Sequence, residues 1–325
     1  MTFKSILLLT IIFGLMSFTD ITDIRLPYPA HFPNPTFDFQ KTPLDSTKIL
    51  LGRILFYDPI LSKDNSISCA SCHSPYNAFA HTDHDLSHGI FDAIGTRNAP
   101  ALFNLAWQKE FMWDGAINHI DMQALAPISH PDEMGSSINE VVSTLNESNA
   151  YKDLFQKAFG EKTITGAKVL KALTQFQLTL VSANAKYDKV KMGKDSFTLQ
   201  ENNGYLLFKK NCNTCHQEPL FSTYQFANNG LPVDTTLNDF GRWQVTGQSK
   251  DSLHFKIPSL RNLSYSYPYM HDGRFKTLRE VLNHYMEQKI PLTSNEKADI
   301  ISFLLTLNDA DFVFDKNNKY YKIKG

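Results

Sequence analysis

Cysteine is scarce in this chain of 325 residues, and its placement excludes a disulfide-stabilised scaffold. There are four cysteines, and all of them lie in two pentapeptides, CASCH at 69–73 and CNTCH at 212–216. Because these two motifs contain every thiol, no cysteine is left to form a disulfide, even in an oxidising compartment. The thiols therefore serve another chemistry.

An excess of charge of either sign is also absent. The chain has 32 Lys and Arg against 33 Asp and Glu, and its formal net charge is −1. A protein with this balance lacks the basic field that attracts nucleic acid, which excludes nucleic acid as a partner. The strand-like alternation of apolar and polar residues is scarce as well, so a mainly helical fold is expected.

Long apolar runs are lacking apart from one near the start of the chain. Residues 6–18 are apolar except for Thr10 and Ser17, and Lys4 precedes them. The run is long enough for the apolar part of a signal peptide and short for a membrane span. No cysteine follows it directly, which excludes a lipoprotein anchor. We expect residues 1–19 to be a signal peptide or an uncleaved N-terminal anchor.

The two cysteine motifs predict two covalently bound haem c groups. In Cys-x-x-Cys-His, two thioethers hold the edge of the porphyrin and the histidine takes an axial position on the iron. The attaching residues are Cys69 and Cys72 in the first motif, and Cys212 and Cys215 in the second. One zinc site built from the four thiolates is the alternative, but it leaves both trailing histidines unexplained. Because haem c is attached outside the cytoplasm in bacteria, we expect a periplasmic protein.

One haem motif in each half of the chain indicates two domains. We expect a mainly α fold with two cytochrome c-like haem domains, residues 20–185 and 186–325, and long irregular connections. The polar stretch 182–196 is the predicted linker. No internal repeat beyond the haem motif is evident.

Apolar periodicity and capping boxes predict the main helices. Periodic apolar residues favour helices over 44–56 and 165–186. Thr198 and Thr293 are each followed by glutamate three residues later, which is typical of a capping box at a helix start.

Several longer segments resemble the bacterial dihaem cytochrome c peroxidase family, and the similarity extends from about residue 51 to residue 307. They are LGRILFYDPILS, GTRNAPALFN, FMWDG, QALAPISHPDEM, FKIPSLRNLSYSYPYMHDGRFKTLREVL and ISFLLTL, in addition to the two haem motifs.

The resemblance implies a role for individual residues. His73 is similar to the proximal ligand of the peroxidatic haem, in the first domain, and His216 to that of the electron-transfer haem, in the second. His88 lies near the family's distal histidine, which leaves the iron on activation, although His81 and His84 are alternatives. The remaining matches are the distal-pocket residues Gln123, Pro127 and Glu133 and the tryptophan between the haems, Trp113.

A calcium ion between the domains is also implied by the resemblance. Asn98, Ser266 and Pro268 match the family positions that hold it. Amide and backbone carbonyl oxygens are suitable ligands for calcium.

The sixth ligand of the second haem departs from the pattern of well-known members, which use a methionine after the HDG motif. Tyr285 stands at that position here, and Met286 follows it. Tyrosine at this position resembles the related enzymes that mature a tryptophylquinone cofactor on a partner protein. A shift of one residue would make Met286 the ligand, and Met270 is a third alternative. Tyr285 is favoured.

The resemblance implies a peroxidase that reduces hydrogen peroxide with electrons from a small cytochrome c or a cupredoxin. Glu133 would transfer the proton between the peroxide oxygens, which is general acid–base catalysis. Gln123 would line the distal pocket, and Trp113 would assist electron transfer between the haems. Relatives are often homodimers. Two other functions are carried forward: oxidative modification of a protein partner, and plain dihaem electron transfer.

Overall fold

The fold is mainly helical, as predicted. The computed structural model describes residues 24, 26, 28–287 and 290–320, and the predicted leader 1–19 lies outside them. The α-helices are α1 (Ser46–Tyr57), α2 (Cys69–Cys72), α3 (Ile120–Gln123), α4 (Leu125–Ser129), α5 (Ile138–Glu147), α6 (Asn149–Phe159), α7 (Gly166–Leu178), α8 (Lys186–Lys191), α9 (Leu199–Asn211), α10 (Trp243–Thr246), α11 (Leu278–Glu287), α12 (Ser294–Leu305) and α13 (Ala310–Val313).

Short elements connect these helices. Strands β1 (Phe226–Ala227) and β2 (Phe255–Lys256) pair antiparallel. The 3₁₀ turns are Pro59–Leu61, Pro75–Asn77, Ile90–Asp92, Leu105–Trp107, Ser249–Asp251 and Lys316–Asn318. Among the described residues, no helix has the length and apolar character needed to cross a bilayer.

Both predicted capping boxes are present and begin the helices expected from them. At α9, the Thr198 amide donates to the Glu201 carboxylate at 2.7 Å and the Glu201 amide donates to the Thr198 hydroxyl at 3.2 Å. The same reciprocal pair at Thr293 and Glu296 starts α12, with distances of 2.7 and 3.3 Å. The N-terminal amide groups of both helices are satisfied locally, which is why the local sequence was sufficient.

The prediction of one continuous helix over 165–186 is wrong. Helix α7 ends at Leu178, and α8 starts only at Lys186. Between them, the amides of Ala183 and Asn184 each donate to the buried Asp309 carboxylate at 2.9 Å. These bonds come from a residue about 125 positions away, so they interrupt the helix without a local signal in the sequence.

Two hydrophobic cores organise the chain, and each is built on a pair of crossing helices. The first core surrounds α1 and α7, and the second surrounds α9 and α12. At the first crossing, a Cβ on Gly52 would lie 1.8 Å from the Ala172 carbonyl oxygen; at the second, one on Gly204 would lie 1.9 Å from that of Asp299. Only glycine allows the backbones to approach this closely.

Gly204→Ala is therefore expected to destabilise the second core by about 3 kcal/mol, near the upper end of overpacking costs. The obstacle is a backbone carbonyl, which a rotamer change does not move. Chemical unfolding followed by haem absorbance measures the loss. Gly193→Ala is the control, because that site has open space and only a positive φ to oppose the side chain. Equal losses in the two variants would contradict the close-crossing explanation.

The expectation of no further internal repeat is also wrong. Residues 100–117 and 258–275 align without a gap and are identical at 7 of 18 positions. The backbones correspond as well: Asn104 and Asn262 have φ of 54° and 62°, and Gly115 and Gly273 have φ of 73° and 68°. The aligned segments end in the equivalent antiparallel bridges Phe111–Ile117 and Tyr269–Phe275.

Buried ion pairs and the end of the chain connect the two halves. Arg97 donates to Asp114 in the same half of the chain at 2.6 Å and to Asp239 in the other half at 2.6 Å. Phe312 and Val313, far along the chain, pack in the first core. The division at 185/186 remains a prediction, and Phe312 and Val313 of the proposed second domain pack in the core of the first half.

Candidate haem centres and active site

The first haem motif forms a short capped helix. Ser68 is the N-cap residue of α2, and its amide donates to the Ser71 hydroxyl at 3.1 Å. Cys69 and Cys72 are three residues apart on this turn, so their thiols lie on one face. The His73 amide closes the turn on the Cys69 carbonyl at 2.9 Å. The two thiols and the imidazole thus lie together at the end of one helix turn.

The two motif histidines are held alike, in the form that binds iron. His73 Nδ1 donates to the Phe79 carbonyl at 3.0 Å, and burial lowers the pKa of His73 to about 4. His216 Nδ1 donates to the Phe221 and Pro258 carbonyls at 3.3 and 3.2 Å, and burial lowers its pKa to about 4 also. A neutral imidazole with Nδ1–H engaged leaves the Nε2 lone pair for a metal. The residues of both motifs therefore fit haem c.

A cleft is lined by residues from both halves of the chain. Pro258, whose carbonyl accepts from His216, lies on its wall. The predicted site residues on the same wall are Asn98, Trp113, Gln123, Ser266, Pro268 and Met270.

Glu133 lies beside the first motif, in a half-buried position. Its charge acts on the Cys72 thiol, whose pKa is raised to about 11 by burial and then by Glu133. Burial raises the pKa of Glu133 itself, and His130 opposes the shift only in part. A carboxyl group with a raised pKa next to the haem-attaching cysteine is chemically suited to proton transfer.

The other two predicted distal residues are held by the surrounding helices. Gln123 is buried at the end of α3, and its Oε1 accepts from Gln177 Nε2 at 3.1 Å. The Pro127 carbonyl accepts from the Met134 amide at 3.1 Å, which fixes the turn that carries Glu133. The structure links Pro127 on α4 to the turn that carries Glu133, while Gln123 reaches the cleft from α3.

The three downstream histidines form a histidine ladder, His81, His84 and His88. The rings of His84 and His88 stack with centroids 4.1 Å apart, and those of His81 and His84 with centroids 5.5 Å apart. His88 Nδ1 bonds Asp92 at 2.8 Å, and the Cys72 thiol donates to the His88 carbonyl at 3.5 Å. The ladder therefore lies next to the first motif, and the choice of His88 as distal ligand remains a prediction.

Trp113 forms hydrogen bonds with residues of both halves of the chain. Its Nε1 donates to the Asn98 carbonyl at 2.8 Å, and its own carbonyl accepts from the Lys256 amide at 2.6 Å. The Asn98 amide in turn donates to the His271 carbonyl at 2.7 Å. In the repeat, His271 is the counterpart of Trp113, so the two equivalent positions meet through Asn98.

The three predicted calcium residues lie along the cleft. Asn98 Nδ2 donates to the Asp85 carbonyl at 3.0 Å, which leaves Oδ1 as the free amide oxygen for a cation. The Ser266 hydroxyl donates to the Asn262 carbonyl at 3.2 Å. Among the described residues there is no cluster of three or more His, Cys, Asp or Glu side chains able to hold a metal. The calcium site rests on neutral oxygens and remains a prediction.

The three candidate ligands of the second haem differ in their surroundings. The Tyr285 phenol lies close to Cys212 and Cys215, and burial raises its pKa. Met286, one residue later on α11, packs against the second core. The Met270 sulfur accepts from Asn229 Nδ2 at 3.4 Å. Of the two neighbours on α11, Tyr285 is the one that faces the haem motif.

Two cleft residues were missed from the sequence. Lys256 donates to Gln108 Oε1 at 2.9 Å, and burial lowers its pKa to about 8. The Tyr224 hydroxyl is buried and has no hydrogen-bond partner among the described residues. The repeat was the available signal for Lys256, which precedes Pro258 by two residues as Asn98 precedes Pro100. No sequence signal pointed to Tyr224.

Known proteins resemble the chain over most of its length. The family model for di-haem cytochrome c peroxidase matches residues 46–196. Methylamine utilization protein MauG of Methylorubrum extorquens is 36% identical, over 87% of this chain and 83% of its own length. The chain belongs to the di-haem cytochrome c peroxidase family. Cytochrome c peroxidase Ccp of Escherichia coli is 34% identical over 86% of this chain and 62% of its own length.

Solved structures show the same fold. A MauG-like protein associated with microbial copper homeostasis superposes with a TM-score of 0.83 at 29% identity, covering 91% of this chain and 99% of the other. The diheme peroxidase BthA of Burkholderia thailandensis superposes with a TM-score of 0.73 at 22% identity, covering 83% and 88%, and supports the fold alone. Family membership makes the chain a peroxidase-type oxidoreductase with two haem c groups.

Proposed function

We propose that the protein is an exported peroxidase that reduces hydrogen peroxide to water with electrons from a small cytochrome c or a cupredoxin. The observation that carries the proposal is Glu133, a half-buried carboxyl group with a raised pKa beside Cys72. A protein that only carries electrons has no use for such a group. The apolar run 6–18 and the haem attachment motifs support export to the periplasm.

The first haem, when bound, supplies the iron at which peroxide is reduced, and the side chains around it supply the proton chemistry. Glu133 accepts the proton of the nearer peroxide oxygen and returns it to the farther oxygen, which leaves as water. Gln123, held by Gln177, orients the peroxide with its amide. Trp113 lies in the route of electrons from the second half, because its carbonyl is bonded to β2 and its indole to Asn98.

The remaining assignments belong to the same proposal. Residues 20–185 form the peroxidatic domain and residues 186–325 the electron-transfer domain. His73 and His216 are the proximal ligands, His88 is the removable distal ligand and Tyr285 the sixth ligand of the second haem. Calcium bound by Asn98, Ser266 and Pro268 stabilises the cleft, and two copies form a homodimer.

Stopped-flow mixing of the reduced holoprotein with hydrogen peroxide and a reduced small cytochrome tests the activity. We expect oxidation of two donor molecules per peroxide, since the reduction to two waters takes up two electrons and two protons. Peroxide that is consumed without donor oxidation, or not consumed at all, would contradict the proposal. Haem-free protein is the control for reaction in solution.

Oxidation of residues on a protein partner is the second candidate. Tyr285 beside Cys212 and Cys215 favours it, together with the 36% identity to a methylamine utilization protein. A combined optical and electron paramagnetic resonance titration identifies the ligand of the second haem. A high-potential haem with a methionine signature would contradict modification of a partner, and with a tyrosinate-ligated haem the oxidation of the reduced cytochrome by peroxide distinguishes the two candidates.

A further inference from the structure

Asn229 has all of its polar side-chain atoms engaged next to the second haem motif. Its Oδ1 accepts from the Leu231 amide at 3.3 Å, and its Nδ2 donates to the Met270 sulfur at 3.4 Å. The same side chain also lies beside the Tyr285 phenol oxygen, on which it acts as a donor. Because Leu231 occupies the oxygen, the NH₂ group must face the other two residues. Two of the candidate ligands of the second haem thus meet at one amide.

The backbone of Asn229 is tied to the helix that carries Tyr285. Its carbonyl accepts from His284 Nε2 at 2.8 Å. The His284 ring is buried and lies 5.7 Å, centroid to centroid, from that of Phe275. Since His284 and Tyr285 are adjacent on α11, this bond sets the distance between the loop and the phenol. The contact with Tyr285 is therefore built into the packing.

We propose that Asn229 is the positioning residue of the second haem: its amide holds the Tyr285 phenol oxygen toward the iron and keeps the Met270 sulfur away. The inference rests on the proposed ligation by Tyr285. Met270 and Tyr285 are both within the reach of one NH₂ group, which has two hydrogens to donate. No other described side chain is hydrogen-bonded to the Met270 sulfur.

Asn229 also controls how strongly the Tyr285 phenol oxygen donates electrons to the iron. An N–H donor stabilises negative charge on the phenol oxygen and so reduces the charge that this oxygen gives to iron. Ferric iron is stabilised by a strongly donating ligand, and without the amide the reduction potential falls. A hydrogen bond to a charged group changes an equilibrium constant by about tenfold or more. For this one-electron couple, a tenfold change corresponds to a shift of about 59 mV in the reduction potential.

Asn229→Leu in the holoprotein tests the inference, with Asn228→Leu as the matched control. Asn228 is exposed and its Oδ1 accepts only from Gly230 in the same loop. We expect Asn229→Leu to lower the reduction potential of the second haem by about 59 mV, which is a tenfold change in the ferric-to-ferrous ratio at a given solution potential. The alternative expected result is that a methionine spectrum replaces the tyrosinate spectrum. In the second case, adding Met270→Leu removes the methionine spectrum. Asn228→Leu leaves the spectrum and potential unchanged.

Two further variants separate the possible failures. Asn229→Asp keeps the shape and the bond from Leu231 but removes both donors, so the spectrum or the potential of the second haem changes even if Asn229→Leu folds poorly. Tyr285→Phe tests the ligation itself. An unchanged second-haem spectrum in Tyr285→Phe overturns the ligation and the role of Asn229 with it. A changed spectrum in Tyr285→Phe, with wild-type spectra and potentials in both Asn229 variants, overturns the role of Asn229 alone.

Discussion

Glu133→Gln is expected to lower the turnover of hydrogen peroxide by about 10² to 10⁴ while both haems remain attached. Gln has the size of Glu but does not take up the proton from the nearer peroxide oxygen. Steady-state oxidation of a reduced cytochrome measures the loss, and the absorbance of both haems reports their attachment. Glu147→Gln is the matched control, because Glu147 is exposed at the end of α5. Equal activity of the two variants would remove Glu133 from the mechanism.

The pH dependence of this reaction follows from the environment of Glu133. Burial is the main cause that raises its pKa above the ordinary 4.5. Because the base works only when it is deprotonated, kcat/KM falls as the pH decreases through that raised pKa. The acid limb of the profile should therefore lie above pH 4.5 and disappear in Glu133→Gln. A limb that persists unchanged in the variant would assign it to another group.

Those parts of the fold that depend on residues close together in the sequence could be predicted from the sequence. The haem motifs are contiguous, and each capping box involves residues three positions apart, as at Thr198 and Glu201. The end of α7 depends instead on Asp309, about 125 residues away, and no local pattern carries that information. The periodic apolar residues after Leu178 therefore predicted a helix that the structure does not have.

The candidate site shows the same division. Tyr285 and Met286 are neighbours on α11 and point about 100° apart, since a helix has 3.6 residues per turn. The sequence does not say which of them faces the haem motif; the packing of Met286 in the second core does. The repeat between 100–117 and 258–275 was readable in principle, but 11 of its 18 positions differ, among them Trp113 opposite His271. Asn229 has no counterpart that would have drawn attention to it.

Arg261→Leu is expected to lower the free energy of unfolding by about 3–5 kcal/mol, because it leaves a charge buried without its partner. The Arg261 and Asp188 side chains are both 0% exposed. Arg261 donates to the two Asp188 oxygens at 2.8 and 2.7 Å, and also to the Pro219 carbonyl. After the substitution, Asp188 keeps the Ala185 amide and, as its only side-chain partner among the described residues, His31 at 2.9 Å. Chemical unfolding of the holoprotein measures the loss.

The double variant Arg261→Leu/Asp188→Leu is the decisive comparison. Removing both charges also removes the uncompensated carboxylate, so most of the lost stability should return. Burial by itself would raise the pKa of Asp188, but the hydrogen bonds from Arg261 hold it below its usual value. The wild-type pair therefore contributes stability above the ordinary pKa of an aspartate and loses it as the pH falls through the lowered pKa. A double variant as unstable as Arg261→Leu would show that the packing of the guanidinium, rather than its charge, stabilises the second half of the chain.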